Sequence, residues 1–418
     1  MNAALALLPD GQDALAGLRV LDLSGRWGNY CGKLFADLGA DVILIEPPQG
    51  SPLRHVGPFV ADRVSLEGSI PFLYQNTNKR SLVLDLDSGD GQSALRRLIA
   101  TADLLIETEA PGAMEARGLS AAQARKIRPS LVYTSITPFG RSGPYAHYAA
   151  DDLTLMAMGG LLTMAGYPDQ PPLVAYGEQA YSAASLYAAV GSLMAIYRAE
   201  LTGEGETIDV SIQESVVMGL ENAAQSYDLQ GLVRRRDAGV TRRAGSGLYP
   251  CRDGYIYMLA GGIGETRFWS NFLDWLSDEK VEGIDEFRDE RWLNVEFLMS
   301  EQAKDRFNRI FDAFARTRTK AQLYGAASRW RVPIAPVANP ADVLASAQLR
   351  HRSFFVNVPS PALGREITLP GAPYQLSDSP WRVRRPAPAL GAHTVEILRE
   401  IGLDGPRDAQ STRAERTA

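Results

Sequence analysis

The sequence predicts an α/β fold, with a large domain built on a Rossmann-type, doubly wound parallel sheet and a smaller second domain. Three observations support this prediction. Short apolar runs alternate with helical segments up to residue 136, acidic and aromatic helical segments follow residue 225, and strand-like runs return after residue 331. Strands that alternate with helices are joined by right-handed crossovers, which place them in one parallel sheet covered by helices.

The elements of the large domain follow from short apolar runs bounded by turn residues and from the helical segments between them. Predicted strands cover residues 18–24, 41–46, 81–86, 102–107 and 131–136, and predicted helices cover residues 28–38, 91–100, 121–127 and 182–198. The last helix is rich in alanine and ends before Gly203, so we expect it to be buried. The N-terminus of such a helix is a favourable place for an anion.

The rest of the chain predicts the domain limits. Residues 1–224 form the N-terminal part of the large domain, 225–330 the small domain, and 331–404 a connection that returns to the large domain. Further strands are predicted at residues 253–259, 332–337 and 363–370, and a closing helix at 393–401. The polar residues 405–418 are predicted to be a disordered tail.

The composition argues against several classes of partner. A formal net charge of −6 disfavours nucleic acid and anionic membranes. Two distant cysteines, Cys31 and Cys251, and histidines without metal-ligand spacing predict neither a disulfide framework nor a metal site. We also expect no apolar stretch of about 18 residues that could span a membrane, and residues 5–8 lack the basic flank of a signal peptide. The sequence therefore predicts a cytoplasmic protein.

Other functional interpretations are weaker. Glu46 follows the first turn by about twenty residues, as in dinucleotide-binding folds, but that turn lacks the G-x-G-x-x-G pattern and contains the bulky Arg26 and Trp27. No G-x-S-x-G segment of a serine hydrolase occurs. Asp151 and Asp152 precede a helical segment, and we interpret them as N-capping residues rather than as a catalytic pair.

Between residues 16 and 403 the chain resembles the class III CoA-transferases, the family of formyl-CoA transferase, crotonobetainyl-CoA transferase and α-methylacyl-CoA racemase. The matching segments are residues 18–23, 37–47, 78–86, 102–107, 111–115, 129–133, 139–145, 202–205, 253–255, 332–337 and 387–391. The resemblance implies a Rossmann-type large domain, a small domain and a dimer of two interlocked rings. It also implies a mechanism in which an aspartate attacks an acyl-CoA thioester and then carries CoA as an aspartyl thioester.

The chain departs from the family at that aspartate. Counted from the proline-rich approach to the helix at 182–198, the matching position holds Tyr181. A phenol has a pKa near 10 and cannot form an enzyme–CoA thioester. The sequence therefore predicts no catalytic nucleophile at position 181, and Glu178 and then Asp152 are the substitute carboxylates to consider.

The positions that contact CoA in the family also differ. Thr108, Glu109 and Ala110 stand where asparagine, an aromatic residue and arginine are common, Ala116 replaces an arginine, and Asp87 replaces a lysine. Charge-assisted hydrogen bonds contribute about 1.5–3 kcal/mol each, so the loss of two or three would weaken CoA binding about a thousandfold or more. We expect no confident CoA site, no metal and no bound cofactor in this chain.

The resemblance then favours a non-catalytic subunit of a heteromeric CoA-transferase. Its partner would be an aspartate-bearing paralogue that holds the acyl-CoA and the carboxylic acid, with coenzyme A as a substrate of the complex. In the nearest known arrangement, which serves anaerobic toluene breakdown with succinyl-CoA and benzylsuccinate, one subunit bears the aspartate and the other lacks it. Two alternatives stay open: a self-sufficient transferase or racemase that uses Glu178 or Asp152, and a non-enzymatic structural or regulatory homodimer.

Overall fold

A computed structural model describes residues 13–236, 243–261 and 266–403 of the chain. Its contacts divide into two compact units. The first comprises Met1–Thr163, Val174–Arg234 and His351–Ala418, and the second comprises Met164–Leu173 and Arg235–Arg350. The tail predicted at 405–418 lies outside the described residues. The domain limits proposed from the sequence stay a prediction.

The structure contains both helices and strands in alternation. The strands are β1 (Arg19–Leu23), β2 (Asp41–Glu46), β3 (Arg80–Val83), β4 (Leu104–Glu107), β5 (Val132–Thr137), β6 (Thr207–Ser211), β7 (Ser246–Cys251), β8 (Gly254–Leu259), β9 (Ile334–Pro336), β10 (Phe355–Ser360) and β11 (Arg365–Pro370). The α-helices up to residue 230 are α1 (Asn29–Asp37), α2 (Ile70–Gln75), α3 (Gly89–Ile99), α4 (Ala113–Ala116), α5 (Ala121–Ile127), α6 (Asp152–Met158), α7 (Leu161–Met164), α8 (Gln179–Thr202), α9 (Ile212–Val217) and α10 (Ala223–Gln230). Those that follow are α11 (Thr266–Asp278), α12 (Val295–Met299), α13 (Glu301–Ala315), α14 (Lys320–Trp330), α15 (Pro340–Leu344), α16 (Ala347–His351) and α17 (Thr394–Glu400). Short 3₁₀ helices lie at Pro52–His55, Val60–Asp62, Met218–Leu220, Ile284–Arg288, Glu290–Leu293 and Pro361–Leu363.

A six-stranded parallel sheet is the centre of the first unit. Its strand order is β3-β2-β1-β4-β5-β6, and every neighbouring pair is parallel. The order reverses between β1 and β4, which is the topological switch point of a doubly wound sheet. The predicted α/β fold class is confirmed.

Alternation along each strand supplies both faces of this sheet with apolar side chains. Val20 and Leu21 are both fully buried, yet they belong to different clusters because successive side chains point to opposite faces. One face packs against the buried sides of α1 and α8. The other packs against α3 and α17. A parallel sheet buried on both faces needs such continuous apolar strands.

The helix α17 closes the first unit through ion pairs to β3. The guanidinium of Arg80 contacts Glu400 at 2.6 Å, Asp41 at 2.7 Å and Glu396 at 2.8 Å. Just before β3, Asn78 adopts a left-handed backbone (φ 64°), and its side-chain amide donates to Asp37 at 2.6 Å and to the backbone carbonyl of Arg382 at 2.7 Å. The last part of the chain is therefore fixed to the sheet by charge-assisted bonds as well as by apolar packing.

The second unit has its own sheet and core. Strands β7, β8 and β9 form an antiparallel sheet in that order. Its core is dominated by aromatic side chains: Tyr249, Trp269, Phe272, Trp275, Phe287, Trp292, Phe307, Phe311 and Phe314. Rings such as those of Phe287 and Trp292, 4.6 Å apart and edge to face, add about 0.5–1.5 kcal/mol a pair beyond their burial.

We expected no segment long and apolar enough to cross a membrane. That expectation is wrong, because one helix meets both criteria by its length and composition. Within the described residues one helix, α8, has 24 residues and a mean hydropathy of 1.2 over an 18-residue window. Half of that window is buried inside the protein. The sequence pattern did not indicate this helix as a membrane span because seven of its residues are alanine and because serine and glycine interrupt the apolar residues.

Candidate functional site

The carboxyl ends of β1, β2 and β4 border two cavities beside the switch point, the place where open α/β sheets bind ligands. One has a volume of about 410 Å³ and is lined by residues that include Gly25, Arg26 and Trp27. The other has about 250 Å³ and is lined by residues that include Asp87 and Arg117. Both cavities share four lining residues: Leu23, Ile45, Pro47 and Glu109. We call them together the sheet-edge crevice.

Tyr181 lies in the first turn of α8 and is only 4% exposed. The centroid of its ring is 6.2 Å from that of Trp27. The guanidinium of Arg26 lies over the Tyr181 ring, 5.8 Å from its centroid. Burial raises the pKa of Tyr181 to about 12. The side chain at the expected nucleophile position is thus a packed, neutral phenol.

The two substitute carboxylates have partners of their own. Glu178, the residue before α8, is ion-paired with Arg26. One oxygen of Asp152 accepts hydrogen bonds from the backbone amides of Ala180 at 2.8 Å and Tyr181 at 3.4 Å. Burial raises the pKa of the Asp152 carboxyl, although these amide bonds oppose the shift. Each carboxylate therefore already has a structural role at the start of α8.

The neighbouring residue Asp151 caps a different helix. Its carboxylate accepts from the amide of Thr154 at 2.8 Å and is the N-cap of α6. The interpretation of the acidic pair as capping residues agrees with this geometry, but each member caps a different helix. Asp152, in the first turn of α6, reaches across to the first turn of α8.

The residues at the family's CoA positions bond within the chain. The hydroxyl of Thr108 accepts the amide of Gly25 at 2.8 Å and so joins the turns after β1 and β4. The carboxylates of Asp87 and Glu109 lie 3.1 and 3.2 Å from the guanidinium of Arg117. Ala110 and Ala116 are exposed and offer no charged side chain.

A further arginine beside β4 is paired in the same way. Arg141 lies 3.0 Å from the buried Glu107 and 2.6 Å from Glu115. Burial raises the pKa of Glu107, whereas the bonds from Ser135 and from the amide of Glu109 lower it. Sequence reasoning did not identify this pair or the one at Arg117. The only signal for these ion pairs in the sequence is the excess of acidic residues after β3 and β4. The pairs themselves cannot be predicted because most of the partners lie far apart in the sequence.

Glu46 has no free oxygen for a ribose. Its carboxylate is fully buried and bonds Arg54 at 2.6 and 2.9 Å, the hydroxyl of Ser81 at 2.6 Å and the amide of Ser51 at 3.0 Å. The arrangement is that of a structural buried ion pair with satisfied hydrogen bonds. It gives no support to dinucleotide binding.

The described residues contain no candidate metal site. Among those residues, no group of three or more histidine, cysteine, aspartate or glutamate side chains is placed to hold a metal ion. Cys31 and Cys251 are both free and buried. The polar side chains that line the crevice are carboxylates, guanidinium groups, hydroxyls and the amide of Gln49.

Known proteins resemble this chain over nearly its whole length. The sequence profile of CoA-transferase family III matches residues 15–394. The chain is 43% identical to the succinyl-CoA:(R)-benzylsuccinate CoA-transferase subunit BbsE of Thauera aromatica, over 94% of this chain and 95% of that protein. It is 29% identical to the succinyl-CoA–D-citramalate CoA-transferase of Chloroflexus aurantiacus, over 93% and 94%. A solved CaiB/BaiF family protein from Brucella suis superposes with a TM-score of 0.83 at 28% identity, covering 93% of this chain and all of that one.

Proposed function

Since the chain belongs to CoA-transferase family III, we propose that it is the non-catalytic subunit of a heteromeric CoA-transferase. The observation that carries this proposal is the buried Tyr181 at the nucleophile position. The family's chemistry moves CoA between an acyl-CoA and a carboxylic acid. In the proposed complex an aspartate-bearing paralogue performs that chemistry.

A phenol cannot replace the aspartate. With a pKa of about 12, Tyr181 is ionised in about one molecule in 10⁵ at pH 7. Acyl transfer to its oxygen would give a phenyl ester, which carries only the acyl group. The family's second intermediate requires a carbonyl carbon on the enzyme to which the CoA sulfur binds, and a phenol has none.

The charges of the sheet-edge crevice support the same conclusion. CoA carries phosphates that need cationic partners. The guanidinium groups of Arg26 and Arg117, which line the crevice, are each paired with carboxylates of this chain. A phosphate that bound there would have to break at least one such pair, so the crevice is a poor CoA site.

The partner chain would carry the complete reaction. Its aspartate attacks the thioester carbonyl of the donor, CoA leaves as a thiolate, and an acyl–aspartyl anhydride forms. The thiolate attacks the aspartyl carbonyl and releases the donor as a carboxylate. The acceptor carboxylate then displaces the thiolate from the aspartyl thioester, and the thiolate attacks the resulting anhydride at the acceptor carbonyl, which restores the aspartate.

The substrates and setting are proposed from the relatives. The name of the 43% identical relative specifies a subunit and the pair succinyl-CoA and (R)-benzylsuccinate. The names of two other relatives also specify succinyl-CoA, with D-citramalate and with L-malate. We therefore assign succinyl-CoA as donor and benzylsuccinate as acceptor of a cytoplasmic complex in anaerobic toluene breakdown, assembled as an interlocked dimer of the two chains.

The test is to express the chain alone and together with an aspartate-bearing family III relative, and to measure transfer of CoA from succinyl-CoA to benzylsuccinate. The chain alone should be inactive, and the co-purified complex active. Alanine at the partner's aspartate should abolish transfer, whereas Glu178→Gln in this chain should not. Transfer by the chain alone that disappears in Glu178→Gln would instead establish the self-sufficient enzyme. A stable homodimer that never co-purifies with a relative would establish the structural alternative.

A further inference from the structure

The helix α8 carries an apolar face that the first unit leaves uncovered. Its small residues, among them Ala184 and Ala188, are buried against the sheet. Its opposite side presents six large side chains, each 46–65% exposed: Leu186, Tyr187, Val190, Met194, Tyr197 and Leu201. At 100° per residue these six lie within about 100° of one another around the helix axis. We call them the α8 face.

The α8 face is large for a surface that meets only water. A large side chain has roughly 150–250 Å² to bury, so six that are about half exposed leave on the order of 600 Å² of apolar surface. The largest apolar patch of a soluble monomer is about 300–600 Å². One partner of a standard protein interface contributes about 800 Å². The α8 face alone supplies most of that area.

The α8 face lacks the charged side chains that usually accompany a solvent-exposed helix surface. Residues 186–197 contain no charged side chain, and the first charge along the helix is Arg198. Tyrosine and methionine, which form half of the α8 face, are enriched in the cores of protein interfaces. A helix that is apolar on all sides is expected to be buried on all sides.

We propose that the α8 face is the surface on which the aspartate-bearing partner chain docks. This inference rests on the proposed function for the identity of the partner, and on area and composition for the surface itself. Tyr181 lies in the first turn of the same helix, so the two sides of α8 have separate roles. One side fills the core and the nucleophile position, and the other joins the chain to its partner.

The experiment compares two identical substitutions at different places. Val190→Glu introduces a carboxylate into the middle of the α8 face, and Val64→Glu does the same at a valine that is 80% exposed in a loop of the first unit. Glutamate has a higher helix propensity than valine, so Val190→Glu should not weaken the helix. Circular dichroism and melting of the isolated variants check that both are folded.

Each variant is co-expressed with the aspartate-bearing relative, and the share of this chain recovered in the heteromer is measured by affinity pull-down and native mass spectrometry. Val190→Glu should lower the recovered heteromer about tenfold or more, because an unpaired carboxylate is costly in an apolar interface. Val64→Glu should match the wild type. Met194→Glu is the second variant, and it should reproduce the loss at Val190.

The outcomes separate this proposal from the proposed function. A heteromer that forms and transfers CoA equally well with Val190→Glu and Met194→Glu would overturn the docking surface and leave the proposed function standing. A homodimer of this chain that Val190→Glu disrupts, without any heteromer, would overturn the partner. Sedimentation with vesicles of zwitterionic or anionic lipid that Val190→Glu abolishes would show that the face meets a membrane instead.

Discussion

Replacing Tyr181 by alanine should destabilise the chain, whereas the complexes that still assemble should transfer CoA at the wild-type rate. The side chain is 96% buried, since its exposure is 4%, and it contacts the ring of Trp27 and the guanidinium of Arg26. Truncation of a buried aromatic residue to alanine costs about 3–5 kcal/mol, part of it from the cavity that remains. We expect Tyr181→Ala to lose a free energy of unfolding in that range.

The matched control is Tyr181→Phe. The phenol oxygen of Tyr181 faces the backbone amide of Asp152, which lowers its pKa against the larger effect of burial. Removal of the hydroxyl should cost about 0.5–1.5 kcal/mol, the usual contribution of one hydrogen bond, and so less than loss of the ring. Urea unfolding of the isolated variants gives both free energies, and hydrogen exchange at the first turn of α8 shows where the loss occurs.

Two results would refute this reasoning. If phenylalanine and alanine destabilised the chain equally, the hydroxyl and not the ring would be the important group. If Tyr181→Phe lowered CoA transfer by the purified complex, the phenol would take part in the chemistry. The proposed function requires that neither occurs.

Three further predictions concern ion pairs. Arg54→Met leaves Glu46 buried without its partner and should lower the free energy of unfolding in urea by about 3–5 kcal/mol. The double variant that also carries Glu46→Met should recover most of this loss, and the absence of any recovery would contradict the pairing. Bonding to its arginine partner lowers the pKa of Glu400, so its contribution is present above the ordinary pKa and is lost as pH falls through the lowered one. Glu400→Gln should therefore cost about 0.5–1 kcal/mol at pH 7 and nothing in acid below that pKa; a cost that does not change between pH 7 and pH 3 would be inconsistent with it. The double variant Glu109→Asn with Ala110→Arg removes one carboxylate from the sheet-edge crevice and adds one guanidinium. Calorimetry should then show that CoA binds at least about tenfold more tightly than to the wild type. Unchanged binding would mean that the charge of the crevice is not what excludes CoA.

The sequence predicted five of the six strands of the parallel sheet and missed β6 (Thr207–Ser211), a short segment in which only the last residue is buried. The strand at Asp41–Glu46 has the predicted bounds, and the one at Val132–Thr137 differs by one residue at each end. The four consecutive apolar residues within Asp41–Glu46 are typical of a buried parallel strand. The strand at Arg80–Val83 ends three residues earlier than predicted, because β2, its partner, already ends at the register pair Glu46 and Val83.

The start of α8 could not be predicted from its own residues. The helix begins at Gln179, three residues before the predicted start, and no side chain at its N-cap position bonds the first turn. The cap comes from Asp152, which is 28 residues before the first amide that it accepts. Contacts of that separation depend on the folded chain, so a pattern read along the sequence cannot show them.

The same limit explains the candidate site. The assignment of Tyr181 to the nucleophile position can be made from the sequence because it is counted from neighbouring motifs, and it stays a prediction. The partners of the arginines cannot be predicted in this way, since Arg26 and Glu178 are 152 residues apart and Arg141 and Glu107 are 34 apart. The expected loss of cations at the CoA positions also stays a prediction, and the structure adds that these two arginines are paired within the chain.

The packing around Tyr181 bears on the proposed function. Under that proposal position 181 has no chemical role and its residue is free to vary, yet Tyr181 is held by hydrogen bonding to Asp152, by the ring of Trp27 and by the ion-paired Arg26 above its ring. The ends of helices are the first parts to open, so the first turn of α8 is the part that most needs such contacts. If it frayed, the rest of the helix, including the α8 face, would be less firmly positioned. The packed phenol is therefore best understood as a support for the helix on which the partner docks, so that substitutions at position 181 should weaken assembly in proportion to their effect on the stability of α8.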